Sequence, residues 1–155
     1  MIIRPATIND IPEILLIEQE SFSEPWSYEA LQYEIDYDDS HFEVAIMNNE
    51  IAGFCILRRL SVDAEIINVA VSKSYRRFGV GNKLIKSILD YATVNNLQSI
   101  YLEVRQSNTA AIALYLKHGF ISLGIRKDYY TGPVEDAITM VYKTGGEIIN
   151  DNISD

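Results

Sequence analysis

Glu65-Ile66-Ile67-Asn68-Val69-Ala70-Val71, a short polar link, and then Arg76-Arg77-Phe78-Gly79-Val80-Gly81 form the stretch on which the fold turns. The first seven residues are nearly all apolar on both faces, the pattern of a strand in a sheet interior. The basic, glycine-containing turn that follows opens a helix from about Val80 to Asn95, with Leu84, Ile85, Ile88, Tyr91 and Ala92 as its buried stripe. Ser99 to Val104 reads as the next strand. A strand, a helix and a second strand in that order imply a parallel pair joined by a right-handed crossover.

Working outward, Met1 to Arg4 reads as a short strand closed by Pro5. A helix follows, capped by Thr7 or Asn9, with Pro12 in its first turn and Ile11, Ile14, Leu15 and Phe22 facing inward. Ser23-Glu24-Pro25-Trp26-Ser27 breaks it, and Ser27 caps a second short helix through Leu31 and Ile35. Phe42 to Met47 and Ile51 to Leu60 form a hairpin about Asn48-Asn49-Glu50. Beyond Val104, a helix runs from Thr109 to His118, with Gly119 in the left-handed position after its end. Phe120 to Arg126 and Asp136 to Tyr142 are the closing strands. The predicted fold is therefore α/β, a mixed and mostly antiparallel central sheet flanked by helices.

The 155 residues suit one domain, read as 1–143, followed by a flexible tail over 144–155 that has little to bury. Hydrophobic residues make up 48% of the chain, enough for one substantial core. The 13 Lys and Arg against 22 Asp and Glu leave a net charge of -9. That sign argues against nucleic acid and against an anionic membrane surface, and it would attract a cationic peptide or polyamine. The single cysteine, Cys55, lies in an apolar run and reads as a small core residue in a reducing compartment. With no membrane-length apolar segment and no basic-then-apolar leader, the expected location is cytoplasmic. The acidic stretch from Glu34 to Asp39 lies outside any motif.

Three local signals carry chemistry. At the turn, the first N–H groups of the helix have no internal partners and can hold an anion, and Gly79 and Gly81 let phosphate oxygens approach the backbone. Arg76 and Arg77 add positive charge, so a pyrophosphate is the natural guest, although a basic turn with two glycines can also be only a turn. In Tyr101-Leu102-Glu103-Val104-Arg105, a carboxylate sits within a core-like strand. It is costly there unless solvated or partnered, and burial would raise its pKa and suit it to act as a base; an outward-facing position is the plainer reading. In the last helix, Asn108 is placed as the cap, and Asn108, Ala111 and Tyr115 share one face. Tyr115 is then either a core residue or a hydroxyl presented to a ligand.

Taken together, Val69-Ala70-Val71, Arg76-x-x-Gly79-x-Gly81 and Asn108-x-x-Ala111-x-x-x-Tyr115-x-x-x-Gly119-Phe120 resemble the GNAT acetyltransferases. The likeness runs from Ile3-Arg4-Pro5-Ala6 to Tyr142. It is closer still to one branch, the ribosomal-protein-alanine N-acetyltransferases (RimI), through Ile17-Glu18-Gln19, Pro25-Trp26-Ser27, Leu102-Glu103-Val104-Arg105, Asn108 to Tyr115, Arg126-Lys127-Asp128-Tyr129-Tyr130 and Glu135 to Ile138. The resemblance implies acetyl-CoA as cosubstrate and no metal. It places the pantetheine arm beside Val69, Ala70 and Val71, the pyrophosphate on the turn of Arg76, Arg77, Phe78, Gly79, Val80, Gly81 and Asn82, and a cofactor contact at Asn108. It implies Glu103 as base, Tyr115 as acid, and a peptide entering between the Trp26 segment and the loop of Tyr129 and Tyr130. The implied substrate is a protein N-terminus, the terminal alanine of a small-subunit ribosomal protein. Two other readings stay open at this stage: a small-molecule or polyamine acetyltransferase, and a non-catalytic acyl-CoA-binding domain.

Overall fold

Strand alternation and helical spacing both carry through to the computed structural model, which describes residues 1–145. Among the described residues the elements are β1 (Ile2–Pro5), α1 (Ile11–Ser21), α2 (Tyr28–Asp36), β2 (Ser40–Met47), β3 (Glu50–Leu60), β4 (Asp63–Val71), α3 (Val80–Val94), β5 (Ser99–Arg105), α4 (Thr109–Lys117), β6 (Ile121–Thr131) and β7 (Val134–Lys143). The expected order of strands and helices holds throughout. The strands form a seven-stranded sheet in the order β1-β2-β3-β4-β5-β7-β6. Only β4 and β5 run parallel, as a connection through α3 requires; every other pair is antiparallel.

Each face of the sheet has its own core. On one face α3 sets Leu84, Ile85 and Ile88 against Cys55, Leu57, Ile66 and Ile100, with Tyr115 of α4 joining the cluster. On the other, Ile11, Ile14 and Ile17 of α1 and Leu31 of α2 cover Val44, Phe54 and Ile56. Full burial of such a side chain contributes about 1.5–3 kcal/mol, so these two layers fix the helices against the sheet. Cys55 is fully buried, and burial pushes its thiol well above the usual range, as suits a core residue. Ser27 caps α2 by accepting the Ala30 N–H at 3.1 Å. The acidic stretch is partly internal: Glu34 is buried and accepts from Arg58 and from the Ser40 hydroxyl.

Several expectations need correction. Phe22 does not face the core. Helix α1 ends at Ser21, and extended backbone at Phe22 turns its ring outward, where it is exposed. Tyr91 is only partly buried and stacks on His41, the ring centroids 3.9 Å apart. The closing strands run further than their apolar patterns suggest, and Tyr129 and Tyr130 belong to β6 rather than to a loop. Thr144 is tied to the sheet by its N–H, which donates to the Gln98 carbonyl at 3.0 Å. The rest of the expected tail, from residue 146, lies outside the described residues.

Candidate active site

The site begins with a slip in β4. Asn68 pairs with Ile56 of β3, yet Ile66 pairs with Leu57, so Ile67 is an extra residue. Because side chains alternate, one extra residue reverses which face the rest of the strand presents. Ala64 and Ile66 accordingly pack toward α3, whereas Ala70 packs toward α1 and the Asn68 amide reaches Glu18 of α1. The same strand also leaves its parallel neighbour. β4 and β5 pair only at Ala64 with Ile100 and Glu65 with Tyr101. Among the described residues the edge of β4 that faces β5 has no strand partner beyond those two pairs, so its peptide groups are free to bind something else.

The cavity between the parted strands measures about 340 Å³. Ile66, Ile67, Asn68 and Val69 of β4 line one side, and Leu102, Glu103, Val104 and Arg105 of β5 the other. Asn108, Tyr115, Ser21 to Glu24, Trp26 and Tyr130 complete the lining.

Glu103 is 13% exposed and partnered. Its carboxylate accepts from the Thr139 hydroxyl at 2.7 Å and forms an ion pair with Arg126 Nε at 3.3 Å. The partner that its position in a core-like strand demanded is therefore present, supplied by the neighbouring strands β7 and β6. Tyr115 is 5% exposed on α4, its ring against Phe120. Burial pushes its hydroxyl well above the ordinary tyrosine range, with Cys55 and Tyr130 adding to the effect, so it stays protonated across any physiological pH. Tyr130 is half-buried, and burial with the nearby Tyr129 and Glu103 pushes it up to about 12, while Arg105 acts in the opposite direction.

At the turn, Gly79 adopts φ +78 and a Cβ added there would meet nothing within 4 Å, so its lack of a side chain serves backbone conformation beside open space. It is the N-cap of α3, whose first amides have no helical partners. Arg76, Arg77 and Phe78 are exposed around it. Gly81 has a different purpose: a Cβ there would sit 3.1 Å from a Leu114 methyl, so glycine lets α3 approach α4. Val80 is buried in the core, and the Asn82 side chain accepts from His118 Nε2 at 3.0 Å. Burial and Lys117 both lower the pKa of His118.

Of the other expected site residues, Val69 lines the cavity, while Ala70 and Val71 pack into the two cores and offer only backbone. Asn108 caps α4, its side chain accepting the Ala111 N–H at 3.2 Å, and it also lines the cavity. Trp26 lines the cavity as well. Tyr129 does not reach the cavity. It is 46% exposed and packs edge-on to Tyr130, because β6 carries extra residues between Arg126 and Tyr130 that rotate it outward.

Residues missed at the sequence level include Asn68 and Arg105. A lone amide in an apolar strand was the available signal for Asn68. Arg105 lies over the Tyr130 ring at 4.3 Å and donates to the Pro133 carbonyl at 3.0 Å and to Glu135 at 3.2 Å, which pins the β6–β7 turn. That turn meets the α1–α2 link: the Ser23 hydroxyl donates to the Gly132 carbonyl, and the Thr131 hydroxyl to Glu24 at 3.4 Å.

Known proteins match this chain both in sequence and in fold. The model of the acetyltransferase (GNAT) family matches residues 11–120. The ribosomal protein bS18-alanine N-acetyltransferase of Escherichia coli is 35% identical over 133 residues, covering 84% of this chain and 89% of that one. The enzyme of the same name from Haemophilus influenzae is 32% identical over 135 residues, covering 84% and 90%. The crystal structure of the ribosomal-protein-S18-alanine N-acetyltransferase from Escherichia coli superposes with a TM-score of 0.86 at 31% identity, over 99% of both chains. With the family model spanning most of the domain and relatives of matching length above 30% identity, the chain belongs to the GNAT acetyltransferase family.

Proposed function

We propose that this protein is a cytoplasmic, acetyl-CoA-dependent N-acetyltransferase that modifies the α-amine of a protein N-terminus. The candidate target is the terminal alanine of ribosomal protein bS18, the substrate in the names of the relatives above. The observation that carries this reading is the cavity between β4 and β5, which brings Glu103 and Tyr115 together against a wall formed by Trp26 and Tyr130.

The residues present fit acetyl-CoA. The free edge of β4 from Ile66 to Val71 offers peptide groups in extended register for a pantetheine arm. The α3 start at Gly79, with Arg76 and Arg77 exposed beside it, suits a pyrophosphate. When bound, acetyl-CoA supplies an activated acetyl thioester. Glu103 takes a proton from the substrate ammonium, directly or through water, which leaves a neutral amine to attack the thioester carbonyl. An N–H group of the free β4 edge would stabilise the negative charge that develops on the carbonyl oxygen. Tyr115 holds a proton that can pass to the departing sulfur, and its burial keeps that proton in place.

An α-amine, with a pKa near ~8, needs little help to lose its proton, whereas a lysine near ~10.4 needs far more. A single carboxylate base such as Glu103 suits the first. The test sets an alanine-initiated peptide against spermidine, following CoA release and acetylation by mass. Turnover of the peptide alone supports the reading. Turnover of spermidine alone favours a polyamine enzyme, and tight CoA binding with no acceptor at all favours a sensor.

A further inference from the structure

Glu18 is a fully buried carboxylate in the last turn of α1 that does not line the cavity between β4 and β5. Burial alone raises its pKa, and no ion pair to it occurs among the described residues. Its two oxygens instead accept from two neutral donors. One is the Asn68 side-chain amide on β4; the other is the backbone N–H of Trp26, at 3.1 Å. A carboxylate held only this way is a poor way to stabilise a core, since an apolar residue of the same volume is usually as good or better. A group that breaks a packing rule calls for another explanation.

The two donors supply one. Asn68 stands immediately after the β4 slip, where the strand turns its even-numbered residues toward α1. Trp26 stands on the link between α1 and α2. Both line the cavity, from different sides. Glu18 is thus the hidden bolt between the strand that parts from β5 and the segment that faces it.

We infer that Glu18 is a positioning residue, which fixes the Trp26 segment against Asn68 on β4 and so sets the width of the cleft where the substrate amine meets the acyl donor. The part concerning the amine rests on the function proposed above; the fixing of Trp26 does not.

Trp26 is the chain's single tryptophan, so its fluorescence reports this segment directly. Glu18→Met keeps the volume and removes both bonds. Asn68→Ala cuts the same tie from β4 and serves if the first variant does not fold. Glu18→Gln is the conservative rescue, because its amide can keep the Trp26 bond while a flipped Asn68 accepts the other. In Glu18→Met, Trp26 emission shifts to the red and acrylamide quenching rises roughly twofold as the segment loosens. The kcat/KM for the peptide falls about tenfold, mostly through peptide KM, while CoA affinity stays within about twofold. Glu18→Gln stays near wild type in all of these. Wild-type emission, quenching and peptide KM in both Glu18→Met and Asn68→Ala would overturn the inference and leave Glu18 a packing residue. A wild-type protein that ignores the peptide would sink the proposed function instead, and the fluorescence would then decide the role of Glu18 by itself.

Discussion

The two ends of the cavity are built in opposite ways. The side we propose for the acyl donor is local: β4 and the turn to α3 come from adjoining stretches of chain, and the turn's shape follows from Gly79 and the free amides after it. The acceptor side is assembled. Trp26 and Tyr130 come to line one cavity because Ser23 is bonded to Gly132, 109 residues away, because Glu24 meets Thr131, and because Arg105 pins the β6–β7 turn. A local site depends on residue types at fixed spacing. An assembled wall depends on long-range ties, so it can be detuned by residues that never touch the substrate. Variants on the two sides should therefore separate in kinetics, with those between them changing chemistry alone.

The largest effect is expected where the sides meet. Glu103→Gln keeps an oxygen for Thr139 and Arg126 but removes the base, and kcat should fall about 10²-fold or more with both KM values little changed. Steady-state kinetics in both substrates checks this, and a large rise in either KM instead would assign Glu103 to binding. Tyr115→Phe should lower kcat by roughly 10²-fold without weakening CoA binding by calorimetry. Because burial raises the Tyr115 pKa, the wild-type kcat profile should show no alkaline fall below about pH 10 from this group, the ordinary tyrosine value.

Effects confined to one side come next. The double change Arg76→Ala with Arg77→Ala should raise acetyl-CoA KM about tenfold through lost charge-assisted contacts, leaving peptide KM alone and weakening the dependence on salt. Arg105→Ala should do the reverse. Loss of its stacking on Tyr130 and its bonds to the turn should raise peptide KM several-fold, worth about 1–2 kcal/mol, with acetyl-CoA KM unchanged. If either variant moves both constants equally, the two sides are not independent.

The smallest effect concerns Glu18 and is thermal. Its folded-state pKa is raised above the reference value of 4.5, so the stability it contributes is present in full below that value and is lost as pH rises through the folded-state pKa. Glu18→Gln is neutral at every pH. The Tm of Glu18→Gln relative to wild type should therefore improve by a few degrees between pH 4.5 and pH 7.5. A flat difference across that range would mean that Glu18 is not buried as described.

Much of the donor side was legible. Alternation in Ile66 to Val71, the glycine at a helix start and the Asn108 cap are short-range properties, fixed by backbone geometry within a few residues. Gly81 shows the limit of such reading. Next to Gly79 it looks like a second phosphate glycine, yet what it meets is Leu114 of another helix, a contact no local pattern encodes. Tyr129 and Tyr130 make the same point. As neighbours in sequence they look equivalent, and only the extra residues in β6 decide that Tyr130 enters the cavity and Tyr129 leaves it.

From the chain alone came the order of strands and helices, the parallel step through α3, and the proposals that the turn holds an anion and that Glu103 and Tyr115 carry the chemistry. Each follows from periodicity, capping or residue chemistry over short distances, or from the family resemblance those motifs carry. Tertiary structure alone decided that β4 slips at Ile67, that β4 and β5 part after two pairs, and that Glu18 is buried between Asn68 and Trp26. These depend on how two packed layers settle against a twisted sheet, where one extra residue reverses every side chain beyond it.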